Sequence, residues 1–279
     1  GLRLKGSEHS RTTSERLGFN VGFHSEQLFR GVHRSIAIDR SESTGFGQRE
    51  MLAHQMLNHC GGVPTKYHDL IHVIAPKREH TGSAELQLGR YTNVFLNDQY
   101  ENGGDGSVFE YELVYQLNAT DNGSLEGNKL PAPDSVVGTS LGALGNLGAR
   151  SNDKESYRWT FLVKNNEDRD DFSGVIPFCK WLATSGTAFT SQITTRLDAD
   201  QWLRGHAVNV LTGAGDSYGG DGSQHNVQFY VRPSDGRMLY FPHDMDAFYE
   251  AGRGLIPNGD LAKIIAVPSH ARTYYAHLL

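Results

Sequence analysis

Residues 213–246 narrow the choice of folds most, because they spell a hairpin closed in by two acidic loops. Val227, Phe229 and Val231 alternate with polar partners, Pro233-Ser-Asp-Gly236 is a turn sequence, and Met238 to Phe241 reads as the return strand. Ahead of it runs Gly213-Ala-Gly-Asp-Ser-Tyr-Gly-Gly-Asp-Gly-Ser-Gln-His-Asn226, and behind it Pro242-His-Asp-Met-Asp246. A short hairpin returns both of its ends to one side, so the two acidic loops are predicted to meet there.

Those loops offer hard oxygen ligands. Phosphoryl transfer to a hydroxyl needs an acidic residue to orient the nucleophile and oxygen ligands to hold Mg²⁺ against the phosphates. The order loop Asp, Asn, hairpin, Asp is the order found in protein kinases, and here it is met by Asp216 (or Asp221), Asn226 and Asp244. The plainer reading is that Asp216, Asp221 and Asp246 cap turns and Asn226 opens a strand, as such residues do among glycines. Residue by residue the plainer reading holds; the ordered set around a hairpin favours a metal site.

The rest of the chain changes language once. Leu2 to Asp39 alternates short apolar pieces with Gly and Ser, which predicts a small sheet. Met51, Leu52, Gln55, Met56, His59 and Cys60 recur at helical spacing before Gly61-Gly62, predicting a helix from Gly47 to Cys60. Strands are expected around Leu70 to Ile74, Ala84 to Leu86 and Val108 to Tyr115. Residues 117–156 read as a loop-rich excursion, and the glycines at 138, 142, 145 and 148 as flexible loop rather than a phosphate cradle. Helical periodicity returns at Phe178, Trp181 and Leu182 and from Asp198 to Leu211, so the second half is expected to be mostly helix around one hairpin.

Composition closes off several classes. The 279 residues are 38% hydrophobic, enough for one large domain or two packed lobes. A net charge of −6 leaves no broad basic surface, so nucleic acid is not an expected partner. No apolar run approaches the roughly 20 residues that cross a bilayer. The start Gly1-Leu2-Arg3-Leu4 lacks an initiator Met and a signal-peptide pattern, and the chain reads as a segment of a longer protein. Two cysteines, Cys60 and Cys179, make no disulfide framework.

At this point the residues resemble a family. His225-Asn226, the strand through Tyr230, the Pro-x-Asp-Gly turn and Phe241-Pro-His-Asp-Met-Asp246 are similar to the closing motif of the CotH (spore coat protein H) kinase family, an Asn-Tyr strand followed by Pro-Trp-Asp-x-Asp. His243 replaces the Trp, a departure expected to touch packing more than ligation. Arg3-Leu-Lys-Gly-Ser7 with Arg11 looks like the family's opening strand and turn, with Lys5 in the place of an Arg. Gln48 to Gly61 is similar to its first helix, and Gly106 to Glu112 to its Gly-x-Tyr-x-x-x-Glu strand.

The resemblance implies an α+β, two-lobed, atypical protein-kinase-like fold, with a small mostly-β N-terminal lobe (about 1–116), the excursion 117–156, and a larger helical C-terminal lobe (157–279). It implies a single domain that binds ATP and Mg²⁺ and phosphorylates a protein substrate, and it points to an exported or envelope-associated setting. Asp216 takes the catalytic role, with Asp221, at the ordinary kinase spacing from Asn226, as the rival base. Asn226, Asp244 and Asp246 are the metal ligands. On the nucleotide side stand Lys5, Arg11 and Arg49 as cations, with Glu50 as a helix carboxylate; Glu112 is either an edge-strand residue or part of the nucleotide pocket.

Two other classes remain. One is a non-catalytic coat, matrix or envelope module that keeps the fold for binding. The other is a metal-dependent phosphoesterase, suggested by His206, His225 and His243 near the acidic cluster. Against the second, no His-x-Glu-x-x-His spacing occurs, and His54, His59, His68 and His72 read as belonging to unrelated elements.

Overall fold

The computed structural model describes the chain except for residues 7–17, 40–47, 79–81, 113–114, 125–126, 133–139, 147, 221–224 and 250–253. Up to Arg90 it forms β1 (Leu2–Leu4), β2 (Phe19–Gly22), β3 (Ser35–Asp39), α1 (Gln48–His59), β4 (Asp69–Val73) and β5 (Gly82–Leu88). Then come α2 (Asn93–Gln99), β6 (Ser107–Tyr111), β7 (Tyr115–Thr120), β8 (Lys129–Pro131), α3 (Leu141–Gly145), α4 (Glu155–Arg158) and β9 (Phe161–Val163). The remainder is α5 (Val175–Ala183), α6 (Gly186–Thr190), α7 (Ile193–Arg196), α8 (Ala199–Leu211), β10 (Val227–Val231), β11 (Met238–Pro242), α9 (Gly259–Ile265) and α10 (Pro268–Leu278).

The chain divides into two compact units: Gly1–His54, Lys66–Arg90 and Val114–Ser135 form the first, and Gln55–Thr65, Tyr91–Leu113 and Val136–Leu279 the second. The first holds an antiparallel sheet in the order β1-β2-β3-β5-β4, the N-terminal part of α1 and the β7-β8 pair. The second holds a sheet in the order β11-β10-β6-β9 and the other helices. Residues Tyr91–Leu113 fall in the second unit. The hairpin expected to interrupt a helical half is instead the edge of this four-stranded sheet, and β9 was not foreseen.

Alternation sorts the second sheet's two faces. Phe109, Tyr111, Phe161, Val227, Phe229, Met238 and Tyr240 join the helical side chains of the main core, where Trp202 of α8 lies on Phe229 with centroids 5.5 Å and planes 14° apart. On the other face Val108, Tyr230, Leu239 and Phe241 pack with Tyr91 and Leu96. With apolar cover on both sides, β10 is buried at four consecutive positions, so its alternating partners Gln228 and Tyr230 face packed groups and not solvent.

Residues 117–156 are not a loop throughout. They carry β8 and, in α3, glycines that pack: a Cβ on Gly145 would stand 2.3 Å from the Cys179 carbonyl oxygen of α5, and one on Gly142 3.1 Å from the Leu182 carbonyl. The glycine spacing read as flexible loop lets two helices touch backbone to backbone.

Candidate functional site

Two elements carry the acidic loops, and α8 is fixed onto β11. β11 is an edge strand of its sheet, and apart from one parallel bridge of Leu197 to Met238 its outer side is covered by side chains of the helix. Gln201 Oε1 accepts from the Tyr240 N–H at 2.9 Å while its Nε2 donates to the Tyr240 carbonyl, so one amide imitates a strand neighbour. Trp202 Nε1 donates to the Met238 carbonyl (2.9 Å), and Asn209 Nδ2 to the Tyr240 hydroxyl (2.8 Å). The C-terminus of α8 is thereby held beside the end of β11.

From these two ends the loops run together. The Gly215 N–H donates to the Ala247 carbonyl (3.0 Å), and the Tyr249 N–H to the Thr212 carbonyl (2.8 Å). Asn226 is buried, and its Nδ2 donates to the Asp216 carbonyl (2.9 Å). Pairing of Val227 with Pro242 sets Asn226 and the residues following Pro242 at the same end of the hairpin. Asn226 (φ 58°) and Asp244 (φ 52°) both take the left-handed backbone region, which Asn and Asp tolerate best after glycine. Such conformations gather at ligand sites, where the surrounding structure imposes them.

Asp216 stands out from this loop while its neighbours turn in. Its side chain is 50% exposed, with Oδ1 3.5 Å from Nε2 of His225. Ser217 and Tyr218 are buried, and Tyr218 meets Phe229 edge-on at 5.6 Å. The stretch after Asp216 is thus an anchor that holds the Asp216 backbone in place. Asp244 is half-buried, and among the described residues its carboxylate has no hydrogen-bond or ion-pair partner; Asp246 is also half-buried. Asp221 and Arg11 lie outside the described residues.

Beside Asp244 lies a polar network that sequence reasoning missed. Glu110 Oε2 is 2.7 Å from Gln228 Nε2, 2.9 Å from Lys164 Nζ and 3.1 Å from His243 Nε2. Burial pushes the Glu110 carboxyl up, but the His243 ring and the Lys164 ammonium outweigh it and hold the group well below the ordinary carboxylate range. His243, read as a packing replacement, is therefore a polar tether on the residue before Asp244. Glu112, the acid singled out on this strand, lies just past β6 and is half-buried; the buried acid is Glu110. An acidic residue within Val108-Phe-Glu-Tyr111 was the signal available for it.

In the first unit, Lys5 forms an ion pair with Asp39. Glu50, offered as the helix carboxylate, faces His54 and His68 instead, and those two rings, assigned from sequence to unrelated elements, sit 4.4 Å apart.

Among proteins of curated function, none matches this chain. The family model described as CotH kinase protein matches residues 80–263. That span takes in Glu110, Glu112, Asp216, Asn226, Asp244 and Asp246, while Lys5, Arg11 and α1 precede it. With more than half of its length matched, the chain belongs to the CotH kinase protein family.

Proposed function

We propose that this chain is an ATP- and Mg²⁺-dependent phosphotransferase that passes the γ-phosphoryl group of ATP to a hydroxyl of a protein substrate. One observation carries the reading: backbone hydrogen bonds tie Thr212 and Gly215, just before Asp216, to Tyr249 and Ala247, just after Asp246, and the Asn226 amide is bound to the Asp216 carbonyl. Two carboxylates and an amide oxygen suit Mg²⁺, a hard cation that takes oxygen ligands. In this reading Asn226, Asp244 and Asp246 hold the ion. When bound, Mg²⁺ neutralises charge on the phosphate oxygens.

Asp216 has the exposure that a base for an external hydroxyl needs. The hydroxyl oxygen bonds to the γ-phosphorus as the bond to the bridging oxygen breaks, ADP leaves, and the hydroxyl proton passes to the Asp216 carboxylate. His225 beside that carboxylate orients it. Glu110 acts at a distance by fixing His243, and with it the backbone that presents Asp244. On the nucleotide side Lys5, Arg11 and Glu112 are the candidates; the Asp39 partner of Lys5 gives this lysine a fixed position, as a phosphate-binding cation requires.

Three substitutions test the assignment in a label-transfer assay. Asp244→Ala should abolish Mg²⁺-dependent transfer. Asp216→Asn should keep nucleotide and metal affinity and lower turnover by about 10²- to 10⁴-fold, since an amide cannot accept the proton. Asp221→Asn should leave turnover near the wild-type value. If Asp221→Asn stops turnover and Asp216→Asn does not, the base is Asp221; if neither matters, the phosphotransferase reading fails.

A further inference from the structure

The first unit contains a set of donor atoms that the phosphotransferase chemistry does not use. Glu50 and His54 lie one turn apart on α1, and His68 stands just ahead of β4. Their side chains are 5%, 1% and 0% exposed. His54 Nε2 is 3.6 Å and His68 Nε2 3.8 Å from the same oxygen, Glu50 Oε1, and the ligand atoms of all three residues fall within 4.8 Å of one another.

These separations decide between two kinds of contact. Hydrogen bonds from a ring nitrogen to a carboxylate span about 2.7–3.2 Å, so neither of these ring-to-carboxylate pairs is one. Two ligands on one tetrahedral ion, each bonded at about 2.0–2.2 Å, stand about 3.4 Å apart. The observed 3.6 and 3.8 Å need only a few tenths of an ångström of adjustment to meet that value. The donor chemistry agrees: two imidazoles and a carboxylate suit Zn²⁺ and its first-row neighbours, whereas Mg²⁺ takes oxygens and keeps its waters.

We propose that Glu50, His54 and His68 form a binding site for a first-row transition-metal ion of the Zn²⁺ class, joining α1 to the segment that leads into β4. Three protein ligands leave the fourth tetrahedral position to a water, and the burial of all three side chains closes the site to substrate, making it a bracing one. It stands apart from the proposed Mg²⁺ site in three ways. Its ligands lie in the first unit, they precede the residues matched by the family model, and two of the three are nitrogen donors. Failure of either proposal therefore leaves the other intact.

The test loads the full chain with Zn²⁺ after chelator stripping and measures metal retained through desalting. One equivalent per chain is expected, with a thermal midpoint that rises with Zn²⁺ concentration. Because the chain has 13 histidines, surface binding is separated by variants: His54→Gln and His68→Gln should each lose the retained equivalent, while His59→Gln, on the exposed side of α1, should keep it. Should the core variants misfold, Co²⁺ in the wild-type chain still decides, since nitrogen and oxygen ligands in a tetrahedral set give an intense visible d–d band. No retained equivalent, retention that survives both His54→Gln and His68→Gln, or an octahedral Co²⁺ spectrum would each overturn the site.

Discussion

Glu110 shows how one buried acid can set the position of another. It binds His243 and Lys164, and His243 is joined by one peptide to Asp244, whose backbone is left-handed. Removing the carboxylate by Glu110→Gln should cost about 1–3 kcal/mol, short of the roughly 3–5 kcal/mol for breaking a fully buried pair, because Lys164 and His243 are partly exposed and keep water as a partner. The pH dependence has a definite sign. The folded carboxyl is a stronger acid than the unfolded one, so as pH falls the unfolded chain takes up the proton first. Its contribution is full above the unfolded value of about 4.3 and drains away as pH drops towards the folded one. Denaturant titrations across that range should show wild type losing stability more steeply than Glu110→Gln. Parallel acid limbs would remove Glu110 from this role. Turnover in Glu110→Gln should fall while Mg²⁺-independent nucleotide binding stays, since the variant shifts Asp244 and touches no nucleotide contact.

At the scale of elements, α8 and the β10-β11 hairpin were legible because their periods are long and unbroken: Trp202, Leu203, Ala207 and Val210 mark one helix face, and Val227, Phe229 and Val231 one strand face. Alternation was less informative where both faces are covered, and β9, three residues long, is too short to show a period. The glycines of α3 were misread for a different reason. Composition alone does not distinguish a glycine that frees a loop from one that removes a side chain between packed backbones. Gly145→Ala should make that difference measurable: its Cβ would meet the carbonyl group of Cys179, which cannot swing aside as a side chain would, so α3 must separate from α5. A loss of about 1–3 kcal/mol in denaturant unfolding is expected, the usual cost of overfilling a packed contact. An unchanged midpoint would mean the two helices are not held at that spacing.

At the scale of the whole molecule, the chain visits each unit more than once, and local pattern says nothing about which sheet a strand will join. β6 follows the first unit's strands in sequence yet pairs with β10, more than a hundred residues on, through Gln228 opposite Glu110. The same long separations hid the Glu110 network, whereas the Glu50, His54 and His68 set spans only residues 50–68 but joins a helix to the segment before a strand, and the acidic loops could be read because one hairpin joins them. All four residues assigned here to base and metal work lie in the second unit and within the family match. Transfer of label from γ-labelled ATP to protein, with and without Mg²⁺, therefore tests the central claim most directly. The phosphotransferase reading predicts ATP binding, ADP release and label on a protein hydroxyl, all dependent on Mg²⁺ and lost in Asp244→Ala. ATP bound with no label moved would contradict it in favour of a binding module, and phosphoester hydrolysis without ATP would contradict it in favour of a phosphoesterase.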